Sequence, residues 1–144
     1  MKTVLLVDDE PELLDFLTYL FKQFNYNIIT YSYIISVEDI RNLRPNVIIL
    51  DNNLEKKTGG ELCLEIKNDA EVKDIPVVLF SSNEMLPQIA KDSCADAYLE
   101  KPVDVETLLK TVRKVTMEAA WLMVVIRIFL EKENSPQPFL IVAE

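Results

Sequence analysis

Five short runs of apolar residues recur along the chain, and each is followed by a polar or charged residue. Runs of this kind are typical of β-strands buried on both faces of a parallel sheet. Between them, apolar residues recur every three or four positions, as on one face of a helix. The alternation predicts an α/β fold in which helices cover both faces of a parallel sheet. The predicted strands are Thr3–Val7, Asn27–Tyr31, Val47–Leu50, Val77–Phe80 and Ala97–Leu99.

Local signals predict five helices between and after these strands. Pro11 favours the first turn of a helix, and an apolar stripe from Leu13 to Phe24 extends it. Ser36 and Asp39 resemble a capping box that opens a short second helix. The remaining predicted helices are Gly59 to Lys67, Glu84 to Ser93 with an interruption at Pro87, and a fifth after Asp104 whose inward residues are Val105, Leu108, Leu109, Val112 and Val115.

The residue types that the chain lacks exclude several kinds of site. It has no histidine, which excludes a histidine nucleophile, a histidine base and a histidine metal ligand. Cys63 and Cys94 are its only cysteines, too few for a four-ligand zinc site. The net charge of −9 argues against direct nucleic-acid binding, since phosphate contacts depend on clustered Lys and Arg. A bound metal would therefore have oxygen ligands.

The sequence predicts neither a signal peptide nor a membrane span. Met1-Lys2-Thr3 leads into a short apolar run that ends before Asp8, without the longer apolar stretch and the cleavage site of a signal peptide. No uninterrupted apolar run reaches the ~18–20 residues that a bilayer crossing needs. Two cysteines in an acidic chain suit a reducing compartment, so we expect a cytoplasmic protein.

Chemically useful side chains follow four of the predicted strands. Asp8 and Asp9 follow the first strand, Asp51 the third and Ser81 the fourth, while Lys101 lies just beyond the fifth. Ligands of open parallel sheets bind beyond the carboxyl ends of the strands. Carboxylates that meet there repel one another unless a cation lies between them, and Mg²⁺ prefers oxygen ligands. A lysine and a hydroxyl at the same place would complete a site for a phosphoryl group.

Four motifs occur in order along the chain: Val7-Asp8-Asp9-Glu10, Ile49-Leu50-Asp51 with Gly59 eight residues later, Ile75 to Ser81, and Ala95 to Pro102. Together, over about residues 2–117, they resemble the receiver domain of bacterial two-component response regulators. Any one motif alone would be a weak signal, whereas four in the right order and spacing are specific. The resemblance implies a flavodoxin-like, doubly wound sheet of five parallel strands in the order 2-1-3-4-5, with five helices.

The resemblance implies that Asp51 is a phosphoacceptor. Its carboxylate would attack a phosphohistidine on a partner histidine kinase or phosphotransfer protein. It further implies a magnesium site made by Asp8, Asp9, Asp51 and the backbone carbonyl of Asn53, with Asp9 binding directly and Asp8 partly through water.

Three further residues match the family's switch. The resemblance implies that Lys101 pairs with Asp51 and then with the phosphoryl group. Ser81 would move toward a phosphoryl oxygen, and the rotamer of Tyr98 would follow that movement. The expected result is a protein-interaction surface that changes on phosphorylation, in a protein that catalyses only its own phosphorylation and dephosphorylation.

Two other classes of function stay open at this point. A degenerate receiver would serve only as an interaction or dimerisation module, although the complete set of charged groups disfavours it. A magnesium-dependent aspartyl phosphohydrolase would usually need a second acid where this chain has Asn53. Taken one at a time, the residues also have ordinary interpretations, such as a helix cap for Asp9 or a turn for Asp51.

Three positions depart from the family's usual pattern, and the first is Ser82, which stands beside Ser81 in place of a small alanine. Glu55 stands four residues after Asp51 in place of a proline, so we expect a more mobile loop with altered partner contacts. Cys94 stands where the family often has glycine, which leaves the local turn geometry open.

Beyond the resemblance, residues 118–144 form a predicted C-terminal extension to the receiver domain of residues 1–117. Ala119 to Leu130 is apolar except for Arg127. As a continuation of the last helix it would span about 18 Å, too short for a bilayer. Because a helix that is apolar all round must be buried, we hypothesise self-association as a homodimer, or docking of a partner. A break is predicted at Ser135–Pro138 and a short strand at Phe139–Val142.

Overall fold

The structure is a computed structural model that describes residues 1–133, with the side chains of all but residues 118–123 and 132–133. Strands and helices alternate from the first element to the last. The elements are β1 (Thr3–Val7), α1 (Pro11–Gln23), β2 (Asn27–Tyr31), α2 (Val37–Leu43), β3 (Val47–Leu50), α3 (Gly59–Lys67), β4 (Val77–Ser81), α4 (Leu86–Asp92), β5 (Ala97–Glu100) and α5 (Val105–Glu133).

The five strands form one parallel sheet in the order β2-β1-β3-β4-β5. Val7 at the end of β1 pairs with Tyr31 of β2 and with Leu50 of β3, and Leu50 pairs in turn with Leu79 of β4. The carboxyl ends of the strands therefore meet at one edge. The α/β class and the strand order that were predicted from the sequence are both confirmed.

Each face of the sheet carries its own apolar core. Val4 and Leu6 of β1 pack on the side of α1 and α5, whereas Leu5 and Val7 face the side of α2, α3 and α4. This alternation is what strands buried on both faces require, and it explains why their sequences are continuous apolar runs. The helices thus lie on both sides, as a doubly wound sheet demands.

Side-chain caps begin three of the helices. The predicted capping box of α2 is present, since Asp39 N donates to Ser36 Oγ at 3.1 Å and Ser36 N donates to Asp39 Oδ2 at 3.0 Å. Asp104 caps α5 by accepting from Thr107 N at 2.8 Å. A second capping box, which the sequence analysis did not identify, opens α3 between Thr58 and Glu61. These caps satisfy N–H groups that have no partner within their helices.

Small differences from the predicted bounds have local causes. β4 and β5 each extend one residue further than predicted, to Ser81 and Glu100, which are register partners. α4 begins at Leu86, two residues later than predicted. Pro87 lies in its first turn, where its missing N–H costs no hydrogen bond, so it starts the helix and does not interrupt it.

Two residues predicted to face the core are partly exposed. α1 ends at Gln23, and Phe24 beyond it is 43% exposed. Asn25 has a φ of 63°, in the left-handed region that commonly ends helices. Val105 is 38% exposed because it lies in the first turn of α5, ahead of the part of the helix that covers the sheet.

The last helix is much longer than the sheet requires. α5 runs from Val105 to Glu133, so the predicted helical continuation is confirmed as far as Glu133. The division into residues 1–117 and 118–144 stays a prediction, and the predicted break at Ser135–Pro138 and strand at Phe139–Val142 lie outside the described residues. Within residues 1–133, none of the helices combines the length and hydropathy that a membrane crossing demands.

Candidate functional site

Two nearly buried aspartates lie side by side at the carboxyl edge of the sheet. Asp8 follows β1 and is 4% exposed, and Asp51 follows β3 and is 3% exposed. Sheet-like hydrogen bonds continue past the strand ends, because Asp8 N donates to Tyr31 O at 3.1 Å and Asp51 N donates to Val7 O at 2.9 Å. Both backbones are therefore fixed by neighbouring strands, and the two carboxylates are held near each other.

Lys101 reaches this pair from the end of β5. Its backbone N–H donates to Ser81 O at 3.0 Å, which continues the pairing of β4 and β5. Its Nζ donates to Asp8 Oδ2 at 2.7 Å and to Glu10 Oε1 at 3.2 Å, and it lies 3.9 Å from Asp51 Oδ2. The side chain is only 14% exposed, so these attractions are weakly screened by solvent. One ammonium thus faces three carboxylates.

The balance of charge at the site is visible in two pKa shifts. Burial raises the pKa of Asp51, the negative charge of Asp8 raises it further, and Lys101 opposes both effects. Burial alone would lower the pKa of Lys101, but its hydrogen bond to Asp8 and the charge of Asp51 outweigh burial and raise it. Lys101 therefore stays charged, while the carboxylates still repel one another. A second cation would relieve that repulsion.

The residues present fit a magnesium ion. Asp8, Asp9 and Glu10 each offer a carboxylate oxygen, and these oxygens lie within 4.8 Å of one another. Carboxylate oxygens are the ligands that Mg²⁺ prefers. Of the four predicted ligands, the structure gathers Asp8 and Asp9 into this cluster and places Asp51 beside Asp8. Glu10 was not among the predicted site residues, although its place in the acidic run Asp8-Asp9-Glu10 was a usable signal.

The loop after β3 is tied tightly to the start of α3. Asn53 N donates to Asp51 Oδ1 at 3.3 Å, which helps to orient the carboxylate. Asn52 is buried, and its side-chain oxygen accepts from Gly60 N at 2.9 Å while its backbone oxygen accepts from Gly59 N at 3.1 Å. A Cβ at Gly59 would lie 2.1 Å from Asp51 O, so only glycine fits there. Asn52 thus has a structural role that the sequence analysis missed.

The two predicted switch residues lie on adjacent strands. Ser81 is fully buried at the end of β4, and its Oγ accepts from Asn83 N at 3.4 Å. This contact is long for a hydrogen bond, so the hydrogen bond itself holds the hydroxyl only weakly. Tyr98 on β5 is the register partner of Leu79, two residues before Ser81, and is 44% exposed. It borders a surface pocket between α4 and β5 that Lys91 also lines.

Cys94 and Lys56 adopt left-handed backbone conformations, and of the two only Lys56 follows a strand at the edge of the sheet that carries the site. Cys94, where the resemblance implies a frequent glycine, has a φ of 60°. The turn that glycine would favour is therefore kept with a cysteine, at some cost in backbone strain. Lys56 has a φ of 71°, next to Glu55 in the loop that departs from the usual proline.

The chain matches known proteins over this same region. A family model for the response regulator receiver domain matches residues 4–113. The chain is 30% identical to protein PilH of Pseudomonas aeruginosa over 118 residues, which cover 80% of this chain and 98% of PilH. It is 31% identical over 121 residues to the DNA-binding dual master transcriptional regulator RpaA of Synechocystis, covering 78% of this chain and 48% of RpaA. The chain therefore spans about half the length of RpaA.

Solved structures show the same fold. The chemotaxis protein CheY4 of Vibrio cholerae superposes with a TM-score of 0.70 at 27% identity, covering 80% of this chain and 98% of CheY4. The receiver domain of the sensor histidine kinase PA1611 from Pseudomonas aeruginosa, solved with a magnesium ion coordinated in its active-site cleft, gives a TM-score of 0.73 at 19% identity. That match covers 80% of this chain and 97% of the PA1611 domain.

Proposed function

This chain belongs to the response regulator receiver family of two-component signalling, and from that premise we propose that it is phosphorylated on Asp51. The donor is a phosphohistidine on a histidine kinase or phosphotransfer protein, because the chain has no histidine of its own. The observation that carries the proposal is the position of the buried Asp51 carboxylate, which lies near Asp8 and 3.9 Å from the ammonium of Lys101.

The proposed reaction transfers a phosphoryl group from the imidazole nitrogen of the donor to the carboxylate of Asp51. An Asp51 carboxylate oxygen attacks the phosphorus atom and forms a new O–P bond, while the P–N bond to the imidazole breaks. The electron pair of that bond stays on the imidazole nitrogen. The product is an acyl phosphate; water later attacks its phosphorus, the bond to the Asp51 oxygen breaks, and the carboxylate and inorganic phosphate are released. In this reaction the protein contributes mainly position and charge neutralisation, which Lys101 provides at 3.9 Å from Asp51.

We propose Mg²⁺ as the cofactor of this transfer. Asp8 and Asp9 would hold it together with Asp51 and the carbonyl of Asn53, and Glu10 lies in the same cluster. When bound, the ion neutralises negative charge on phosphoryl oxygens. The carboxylates at the site outnumber the single ammonium of Lys101, and this uncompensated negative charge supports the proposal. The magnesium ion in the PA1611 receiver supports it as well.

The output of phosphorylation is a changed interaction surface. Ser81 gives up its 3.4 Å contact with Asn83 N and donates to a phosphoryl oxygen. Tyr98, half-exposed on the neighbouring strand beside the α4 pocket, adjusts to the vacated space and alters the surface that a partner contacts. We propose that the receiver domain catalyses only its own phosphorylation and dephosphorylation. The free thiols of Cys63 and Cys94 support a cytoplasmic location, since reducing compartments keep thiols unpaired.

Incubation with acetyl phosphate, with and without Mg²⁺, tests the proposal. Intact-mass spectrometry is expected to show one added phosphoryl group on the wild-type chain only when Mg²⁺ is present. Asp51→Asn is expected to abolish the addition, and Asp15→Asn, which replaces an exposed aspartate of α1, is expected to preserve it.

Each other outcome points to a different function. Unchanged modification of Asp51→Asn would contradict the assignment of the phosphoacceptor. A wild-type chain that is never modified, by acetyl phosphate or by a phosphorylated kinase, would indicate a pure interaction module. Steady turnover of small phosphate esters would indicate a phosphohydrolase.

A further inference from the structure

The core-facing stripe of α5 continues beyond the sheet that it covers. Val112 and Val115 are buried, at 0% and 6% exposure. Ile126 and Phe129 follow them by fourteen residues, or two heptads, so they lie on the same face of the helix. Yet Ile126 is 47% exposed and Phe129 is 65% exposed. Among the described residues, the helix thus presents a core-like face beyond the part of it that covers the sheet.

We propose that a second copy of this chain covers this face by packing antiparallel along α5. Heptad spacing of apolar residues favours another helix as the occupant, because knobs-into-holes packing repeats with that period. The same helix on a second copy supplies a matching stripe, and in a twofold pair each stripe buries the other. This association does not depend on phosphorylation of Asp51.

The position of the domain on α5 determines the orientation. In each copy the sheet lies against the face that carries Val112 and Val115, which is also the face that would meet the partner helix. A parallel pair would bring both domains to the same level between the two helices, where they would collide. An antiparallel pair places each domain beyond Glu133 of the partner, the last described residue of α5. The helices then overlap over about residues 119–133, or roughly 22 Å, with Ile126 near the twofold axis.

Light scattering of size-separated protein tests the occupant. The wild-type protein is expected to be a dimer, with twice the mass of a single chain. The variants Ile126→Glu and Phe129→Glu are expected to be monomers. Val124→Glu is the matched control, because Val124 has the same 47% exposure as Ile126 but lies about 200° away around the helix. It is expected to remain a dimer. Circular dichroism of each variant establishes that the domain is folded.

Three results would overturn the second copy as occupant. The first is a wild-type chain that stays monomeric at every concentration measured. The second is equal disruption by Val124→Glu and Ile126→Glu, which would show that the stripe does not define the contact. The third is a monomer that sediments with anionic lipid vesicles through the same two residues, since a membrane surface would then cover the face.

Disulfide cross-linking tests the orientation. In a Cys63→Ala, Cys94→Gly background, Ile126→Cys is expected to link to its copy near the axis under mild oxidation by air. Two copies of Glu133→Cys would lie on the order of 20 Å apart in an antiparallel pair, far beyond the ~7 Å between Cα atoms that a disulfide tolerates. Efficient self-linking of Glu133→Cys would therefore reveal a parallel pair and overturn the proposed arrangement.

Discussion

Lys101 makes its shortest ionic contact with Asp8, at 2.7 Å, and lies 3.9 Å from Asp51. The resemblance to receivers implied Asp51 as its main partner. The ammonium is instead shared between two buried carboxylates and lies closer to Asp8, while burial and the charge of Asp8 raise the pKa of Asp51. The carboxylate proposed as nucleophile is therefore the less neutralised of the two, and it is the one on which an incoming phosphoryl group or cation has most effect.

The first prediction concerns Lys101. Lys101→Met is expected to slow phosphorylation of Asp51 by acetyl phosphate about 100-fold, the usual effect of removing one group that stabilises transition-state charge. Lys110→Met is the control, because Lys110 pairs with Glu106 on the exposed side of α5 and surface pairs contribute little. The rates would be followed by intact mass. Equal rates for the two variants would contradict a role for Lys101.

The second prediction is that Asp51→Asn stabilises the metal-free protein. The amide side chain would keep an oxygen for the N–H of Asn53 but would remove a buried charge next to Asp8. The free energy of unfolding at neutral pH is expected to increase, because a group whose pKa is raised by folding destabilises the fold when it is charged; urea denaturation in EDTA measures the change. Asp15→Asn, at an exposed site, is expected to change it little. A loss of stability in Asp51→Asn would show that the carboxylate is fully compensated in the folded state.

The third prediction concerns the loop after Asp51. Gly59→Ala is expected to destabilise the fold by about 2–4 kcal/mol, because its Cβ would lie 2.1 Å from the backbone oxygen of Asp51 and the backbone would have to move. Gly60→Ala is the matched neighbour. Its Cβ would lie 2.8 Å from the Cγ2 methyl of Ile89, a side-chain atom and not backbone, so a smaller loss of about 1 kcal/mol is expected. Thermal unfolding measures the stability of both variants. An equal loss of stability in the two would contradict the importance of the close contact between Gly59 and the backbone oxygen of Asp51.

The fourth prediction concerns the metal. Asp9→Asn is expected to weaken Mg²⁺ binding at least about tenfold, measured by titration calorimetry, because it removes one carboxylate from the cluster with Asp8 and Glu10. Glu12→Gln, an exposed acid in the first turn of α1, is expected to leave the affinity unchanged. Glu10→Gln completes the series and shows whether this third carboxylate takes part. Equal affinities for Asp9→Asn and wild type would exclude Asp9 as a ligand.

The fifth prediction compares the two thiols. Cys63 is fully buried in α3, and burial raises its pKa to about 11, so almost no thiolate exists at neutral pH. Cys94 is exposed. Iodoacetamide is therefore expected to add one label to the native chain, at Cys94, and two after denaturation. Peptide mapping that finds label on Cys63 in the native protein would show that the α3 side of the core opens readily.

The strands, and the approach of the residues that follow them, could be predicted because two physical patterns are local. Strands buried on both faces need continuous apolar runs, and the residues that end them, such as Asp8 and Asp51, are brought together by parallel pairing alone. The exposure of Phe24 and Val105 could not be predicted in this way. Periodicity identifies the face of a helix that turns inward, but not where the sheet beneath it ends.

The finer features of the site depend on three-dimensional placement of side chains far apart in the sequence. Lys101 is 93 residues from Asp8, and no spacing rule indicates that it contacts Asp8 more closely than Asp51. The approach of Glu10 to Lys101 has the same origin. Asn52 was not predicted for a different reason. Its side-chain oxygen accepts a hydrogen bond from the backbone N–H of Gly60, and hydrogen bonds of this kind within a loop have no recognisable sequence pattern.

The strand order β2-β1-β3-β4-β5 also bears on how the chain can assemble as it leaves the ribosome. Each new strand pairs with one that has already been synthesised: β2 and β3 with β1, β4 with β3, and β5 with β4. The sheet can therefore grow in the direction of translation without waiting for a distant segment. The helix α5, which packs on one face of the sheet, is synthesised after all five strands. Until then, one face of the nascent sheet is incompletely covered, and a chaperone would find its binding surface there.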